Sequence, residues 1–483
     1  MSKSTVGLLW FVIGCASAPG YRAPEVPLSP AFREEVRDTV RRPEPAEVPV
    51  TTVDSTSQVL VWPELGDTTF SRLMNQALRG NLDVQAAEAR VRGARSARTE
   101  VALDFAPTVT FVGGYTRQRL SGSSFPIGSG TFPDQDLWEG GFDASWELDL
   151  FGRIRRNVQA QGAFVGVTEE DLRNIRVTLA ADLARAYFDL RGAQEQLDVA
   201  RRNAVNQRRT LEVTRQRLDA GRGTAFDTER ALAQLSFTLA SIPAFEARVG
   251  DAQYRIGVLL GRSPTAVARE LETFAGLPTL PETIRVARPE VVVRKRPDVA
   301  AAEREWALGQ ALVGAAKADY LPRIGLGATA GYTSGDFSAL GDRGTWRYAV
   351  GPVITWPALN LGRVKARVDQ TRAREEEAQA QYNQTVLRAV EEVEAGLLRY
   401  RSARARVERI QEAASASERA ADLARLRFSG GVADFLQVLD AERTQLEAQD
   451  QLAQGRTEAA IAYAALYKAL GGVWPAESTE TTQ

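Results

Sequence analysis

Apolar positions along the chain follow two rhythms. Between 153 and 221 they recur at spacings of three and four (Ile175, Leu179, Leu183, Tyr187, Leu190), without a proline and amid Ala, Arg, Glu and Gln. The stretch 363–428 repeats this with Val386, Val390, Val393, Leu397 and Tyr400. A helix of about 69 residues is roughly 100 Å long, which exceeds a globular domain and indicates a coiled-coil element. The segments 82–105 and 225–260 also read as helix. End to end they span roughly 90 Å, enough to lie beside one long helix. The segments 297–320 and 433–470 repeat that arithmetic. Elsewhere the rhythm is two. Val109, Phe111, Gly113 and Tyr115 alternate with Thr108, Thr110, Gly114 and Thr116, and Phe142, Ala144, Trp146 and Leu148 with Asp143, Ser145, Glu147 and Asp149. Two further strands follow, with Ile324, Leu326, Ala328, Ala330 and Tyr332 on one face and then Trp346, Tyr348, Val350, Pro352 and Ile354. Runs of about ten residues with aromatics near their ends match strands of an outer-membrane barrel with a polar interior. Two amphipathic hairpins on a water-soluble core remain the alternative.

The chain is one unit written twice. Asn81-Leu-Asp83 matches Arg296-Pro-Asp298, and Pro107 matches Pro322, at an offset of 215 (83 to 298). Trp146 and Trp356, Gly152-Arg153 and Gly362-Arg363, Gly221 and Gly431, and Leu260-Gly261 and Leu470-Gly471 share an offset of 210 (221 to 431). The missing five residues belong in the loop 119–135, longer than its counterpart near 334–344. The expected order is therefore a signal peptide at 1–14, an extended segment at 15–62, a first repeat at 63–262, a linker at 263–296, a second repeat at 297–471 and a tail at 472–483. The first repeat holds helices within 67–105, strands 107–118 and 136–150, and helices 153–221 and 225–260. The second holds strands 322–333 and 345–357 and helices 363–428 and 433–470.

Composition narrows the function. The 483 residues carry 60 Lys+Arg against 61 Asp+Glu, one Cys and no His. Near-zero net charge argues against nucleic acid. The absence of His removes the commonest general base and metal ligand, and a single Cys excludes thiolate clusters and internal disulfides. There is no Gly-x-Ser-x-Gly and no P-loop, so no catalytic residue, metal site or cofactor is expected. Glu375-Glu-Glu377 and Glu391-Glu392 lie among arginines on the long helix and read as solvated coiled-coil charge. No apolar run reaches the roughly 20 residues of a membrane helix. At the N-terminus, Lys3 precedes a short apolar run (Val6 to Ile13) and then Gly14-Cys15, a secretory signal cut beside the only Cys. A buried core Cys is the competing reading. The following segment, with Pro19, Pro24, Pro27 and Pro30, should be extended without a core of its own.

Four strands cannot close a barrel, and lipid tolerates no open sheet edge. Two chains give eight strands with a filled interior; three give twelve and a lumen.

The sequence resembles the TolC/OprM superfamily of outer-membrane efflux proteins, nearest its NodT-type lipoprotein branch. The likeness is carried by Cys15-Ala-Ser-Ala-Pro19-Gly-Tyr21, Trp62-Pro-Glu-Leu-Gly-Asp67, Asn81-Leu-Asp83, Arg294-Lys-Arg-Pro-Asp-Val299, Arg427-Phe428, Gly431-Val432 and Leu439-Asp440-Ala-Glu-Arg443. It implies a homotrimer with a 12-stranded β-barrel continuous with a long coiled-coil α-helical barrel, mainly α overall. It implies a lipidated Cys15, contact with outer-membrane lipid, a periplasmic adaptor (membrane fusion protein) and an inner-membrane pump of RND type. The turns Asp219-Ala-Gly221 and Ser429-Gly430-Gly431-Val432 match the family's periplasmic tip, which faces the adaptor. Leu436, Asp440 and Arg443 match its closing constriction, where three copies of Asp440 would attract cations and Leu436 would form an apolar ring. An ion pair of Arg443 with Asp440 competes with that role. Gln437 stands where some relatives have a second acidic ring. Glu139, Asp143, Glu147 and Asp149 suit an acidic pore lining. The expected function is passive outer-membrane duct of a tripartite pump exporting small toxic compounds. Type I protein secretion, or a periplasm-spanning coiled-coil lipoprotein without a conduit, are the alternatives.

Overall fold

A computed structural model describes residues 29, 31–33, 50–53, 65–121, 133–281 and 283–472. Cys15, the signal peptide and the tail beyond 472 lie outside the described residues. The elements run β1 (Val50–Val53), α1 (Thr68–Gly80), α2 (Leu82–Ala102), β2 (Thr108–Gln118), β3 (Gln135–Leu148), α3 (Arg153–Asp219) and α4 (Ala225–Leu259). They continue with α5 (Pro264–Glu270), β4 (Ile284–Ala287), α6 (Pro289–Lys295), α7 (Pro297–Ala318), β5 (Arg323–Ser334), β6 (Trp346–Thr355), α8 (Leu361–Ser429) and α9 (Phe435–Ala469). The β2–β3 loop, 119–134, exceeds the β5–β6 loop, 335–345, by the five residues that separate the two repeat offsets. Strand β3 ends before 149 because Asp149 turns to cap α3, accepting the N–H groups of Ile154 (2.9 Å) and Arg155 (3.0 Å).

Two compact units divide the chain. The first takes 90–169 and 301–382 and contains an antiparallel sheet in the order β2-β3-β5-β6. Its register puts every apolar alternation on one face: Phe111 opposite Phe142, Phe142 opposite Ala330, and Ala330 opposite Tyr348. Rings pair across strands on that face, Tyr115 with Trp138 at 4.4 Å and Tyr332 with Trp346 at 5.3 Å. That face is exposed in the single chain; Phe111 is 65% and Tyr348 73% accessible. At the helix-to-strand junctions the duplicated tryptophans do duplicated work. Trp146 donates its indole N–H to the Phe105 carbonyl at 2.8 Å, and Trp356 to that of Tyr320 at 3.1 Å. The helices of this unit lie in the order α2, α3, α7, α8. Arg95 pairs with Glu169, Gly166 lets Arg304 approach, and Trp306 donates to Glu375 at 2.9 Å.

The second unit takes 25–89, 170–300 and 383–483. Its helices lie in the order α4, α3, α9, α8, joined by Arg201–Glu246, Asn203–Gln449 and Arg406–Glu458. One large apolar core gathers Phe70, Leu183, Tyr187, Phe188, Val393, Leu397, Tyr400, Tyr463 and Leu466, all essentially inaccessible. Burial, with Asp67 accepting from its hydroxyl, pushes the Tyr187 phenol up to about 12. The linker 263–296 is more structured than its prolines suggest. Pro264 and Pro289 sit at the first turns of α5 and α6, where a missing N–H costs nothing, and Ile284 and Val286 of β4 enter the core. Within the N-terminal segment, β1 pairs in parallel with β4, and Phe32, 1% exposed, joins the main core.

The short helices meet at two splices. Asn81 begins α2 by accepting the N–H groups of Asp83 and Val84, and its amide donates to the last carbonyls of α4 at Leu259, 3.0 Å away. Its repeat mate Arg296 donates to Ala469, at the end of α9, at 2.7 Å. Burial opposes the Arg296 charge, but Asp298 and Glu392, at 2.7 and 2.6 Å, outweigh it and hold the guanidinium above its ordinary value. Both residues thus satisfy carbonyls that a helix end leaves without partners. Gly261, at φ +65°, ends α4 against the Gly80 carbonyl, with no room for a methyl group.

Substitution separates strain from crowding. Gly221→Ala, at φ +69° in open space, should cost about 1–2 kcal/mol. Gly261→Ala carries the same strain plus a backbone collision and should lower the thermal midpoint further; scanning calorimetry of the two variants checks the order.

Candidate functional site

The two turns that the family resemblance matches to a periplasmic tip are built alike. Gly221 (φ +69°) and Gly431 (φ +75°) adopt the left-handed conformation that only glycine takes without strain. In each, the N–H of the next residue returns to a carbonyl five positions back: Arg222 to Arg217 at 2.8 Å, Val432 to Arg427 at 2.9 Å. This closes the helix C-termini of α3 and α8. Thr224 then caps α4 by accepting the Asp227 N–H, and Asp434 precedes α9. The structure brings the two turns together. The Arg217 guanidinium lies 4.2 Å over the Phe428 ring, which packs at 5.6 Å on Phe435. Asp219 is the last residue of α3; Gly430 and Val432 flank the second turn, and Val432 is 73% exposed.

Helix α9 has two faces. Phe435, Val438, Glu442 and Gln445 are buried, while Leu436, Gln437, Asp440 and Arg443 are exposed on the other side. Leu436, Asp440 and Arg443 therefore form one outward stripe at helical spacing. The Arg443–Asp440 pair considered from sequence does not form. Arg443 instead donates to Glu447 at 2.8 Å, the favoured spacing of four, and this neighbour holds its guanidinium above its ordinary value. The Asp440 carboxylate has no hydrogen bond or salt bridge among the described residues.

Sequence reasoning missed the buried stripe. Glu442, with 3% of its side chain exposed, receives Arg425 of α8 at 2.9 Å and the Thr210 hydroxyl of α3 at 2.8 Å. Arg425 also reaches Gln445, and Asn203 donates to Gln449. Opposite, Asn203, Gln207 and Thr214 occupy the inward positions of α3. Gln207 is 2% exposed, and its amide finds no partner among the described residues. The signal was present: the spacing 435, 438, 442, 445 is a coiled-coil core pattern into which Glu and Gln have been written. The apolar cluster beside the two turns is small, with Ala204, Leu211, Ala231, Leu235, Phe428, Phe435 and Val438 at its centre.

These paired hairpins, the four-stranded sheet and the doubled architecture coincide with a known family. The model for the outer membrane efflux protein family matches residues 73–262 and 289–472. The chain belongs to that family. It is 27% identical to nodulation protein T of Rhizobium leguminosarum bv. trifolii, over 95% of this chain and 94% of that one. It is also 27% identical to the antibiotic efflux pump outer membrane protein ArpC of Pseudomonas putida, over 100% and 98%. Among solved structures it superposes on the outer-membrane channel OprN with a TM-score of 0.85 and 36% identity, covering 95% of this chain and all of that one. The family is one of outer-membrane channels, and the duplicated, mainly helical fold with its four-stranded sheet is theirs. No helix among the described residues is long and apolar enough to cross a membrane.

The buried stripe gives a test. Arg425→Ala strands the Glu442 carboxylate and should destabilise the tip by about 3 kcal/mol. Hydrogen exchange should rise across 420–445 and stay slow across 385–400. Replacing both residues by Leu should restore most of the protection.

Proposed function

We propose that three copies of this chain close head-to-tail into a duct through the outer membrane, the passive exit of a tripartite efflux pump for small toxic compounds. One observation carries the reading: both layers of the protomer end in unpaired edges. Among the described residues, β2 and β6 are each bonded on one side only, and hydrocarbon cannot satisfy the other side. The helical layer ends in α4 and α8, and both carry exposed apolar side chains: Phe226 and Phe237 on α4, Leu423 and Leu426 on α8. Each edge meets the complementary edge of the next copy, an arrangement that closes only as a ring. Twelve strands leave a lumen. The aromatic face then meets lipid, and the face bearing Thr110, Asp143 and Thr329 meets water.

In this assembly the turns at Asp219–Gly221 and Gly430–Val432 present the surface for a periplasmic adaptor, which links the duct to an inner-membrane pump of RND type. Their open flanks suit that contact, since Val432 is exposed and nothing crowds Gly221. Leu436 and Asp440 line the constriction, and Arg443 is held aside by Glu447. Acylated Cys15 anchors the chain to the membrane. Likeness to the antibiotic efflux pump protein of Pseudomonas putida supports this substrate class.

Two measurements test this. Phe237→Glu places a charge in the closing edge and should yield monomers on size-exclusion chromatography in detergent, while the unaltered chain runs as a trimer. In planar bilayers the trimer should conduct, and Leu436→Gly combined with Asp440→Ala should raise single-channel current several-fold; current equal to the parent would remove both residues from the constriction.

A further inference from the structure

The splice at Asn81 carries side chains that its repeat mate at Arg296 does without. An open cleft of about 890 Å³ lies beside it, lined by Arg72, Gln76 and Arg79 of α1, by Arg262 and by Glu270 of α5. Gly80 and Gly261 leave its floor as bare backbone, since neither has room for a methyl group. Three arginines meet one carboxylate there. Glu270 is already answered, by Arg262 at 2.5 and 3.2 Å and by Arg72 at 3.6 Å. Arg79 is exposed, and among the described residues its guanidinium has no hydrogen bond or salt bridge. The Gln76 amide oxygen is shut off from solvent and finds no donor among the described residues, a state that buried acceptors rarely keep. At the other splice the same positions are apolar or filled. Val291 stands for Gln76 and Gly472 for Arg262, and the Arg296 side chain lies against Gly471. A joint of this kind therefore closes without these polar groups, and the cleft keeps two surplus positive charges and an acceptor for a ligand.

We propose that this cleft binds a peptide-borne carboxylate, and that its occupant is the chain's own acidic tail. Arg79, seconded by Arg72, takes the carboxylate, and the Gln76 oxygen accepts an N–H of the same peptide. Residues 473–483 hold Glu477 and Glu480 and no Lys or Arg. They leave from Gly472, which sits against Val177 of α3. The preceding residue of α3, Arg176, pairs with Glu88 of α2, about two helical turns from the splice. The start of the tail and the cleft thus flank α3 at nearly one level, on its α9 and α4 sides. Two interaxial spacings of about 8–10 Å make that roughly 20 Å. The extended chain from Gly472 to Glu480 spans about 27 Å. The inference stands apart from ring closure, because cleft and tail root belong to the same unit of one chain.

Fluorescence anisotropy of a dye-labelled peptide of residues 473–483, titrated with the detergent-solubilised full chain, tests both parts. The chain carrying Glu477→Gln and Glu480→Gln leaves the cleft free. It should bind the peptide, about tenfold more weakly at 0.5 M than at 50 mM salt. Adding Arg79→Gln should weaken binding about fivefold at the lower salt. Gln76→Met should weaken it about threefold at both salts, because a hydrogen bond between neutral groups is not screened. The parent chain should bind the same peptide about tenfold more weakly than the tail variant, since a tethered segment competes at an effective concentration of about millimolar. A peptide with Glu477→Gln and Glu480→Gln that binds as tightly as the acidic one overturns the carboxylate site, and this comparison needs no altered arginine. Absence of binding to the tail variant, or binding indifferent to Arg79→Gln, overturns it equally. A parent chain that binds as tightly as the tail variant overturns the tail as occupant.

Discussion

A peptide group in hydrocarbon must find its partner within protein, and that requirement organises this chain. The sheet offers one aromatic, apolar face and one face of Thr, Gly and charge, yet among the described residues four strands leave two rows of unpaired N–H and C=O groups. The unmet edges of β2 and β6 are therefore a demand for further copies. The helical layer makes the same demand in apolar side chains, through Phe226 and Phe237 on α4 and Leu423 and Leu426 on α8.

Cohesion changes character along the second unit. Where Tyr187, Leu397, Tyr400 and Tyr463 meet, the interior is apolar, and the hydroxyls of Tyr187 and Tyr400 reach Asp67 and the Pro281 carbonyl. Towards the turns the inward positions of α3 and α9 become Asn203, Gln207, Thr214, Glu442 and Gln445. Such a seam gains little from desolvation and depends on each polar atom finding its partner. Gln207 does not find one among the described residues. The two turns are thus held by the least cohesive part of the second unit, and the large apolar core is its most cohesive part.

Much of this was legible in order and in period. The long helices announce themselves because a spacing of three and four persists without proline, and the reversals because Gly221 and Gly431 sit where only glycine fits. The strands follow from strict alternation, and their register then confirms one aromatic face. Other features resist reading for physical reasons. Four residues, Val50–Val53, are too few to show a period, and their partner strand lies beyond the whole first repeat. Asn81 and Arg296 can be aligned by eye, but their shared role depends on carbonyls 178 and 173 positions away. Of the stripe Leu436, Asp440 and Arg443, the sequence supplies the face but not the rotamer, so the turn of Arg443 toward Glu447 emerges only in three dimensions. Glu442 was overlooked because a carboxylate in a core position reads as surface until its neighbours on α3 and α8 are in place.

The splices at Asn81 and Arg296 also bear on how such a protein can change its reach. Helix α3 runs unbroken from Arg153 to Asp219, whereas α2 and α4 are two pieces butted at a capped joint. Extra length can therefore be added beyond the joint by lengthening α3 with α4, and α8 with α9, leaving α2, α7 and the strands untouched. The inserts must come in matched pairs and in steps of about 7 or 11 residues, so that inward positions stay inward. Bacteria with envelopes of different depth could be served by one barrel and one joint, with only the two hairpins cut to measure.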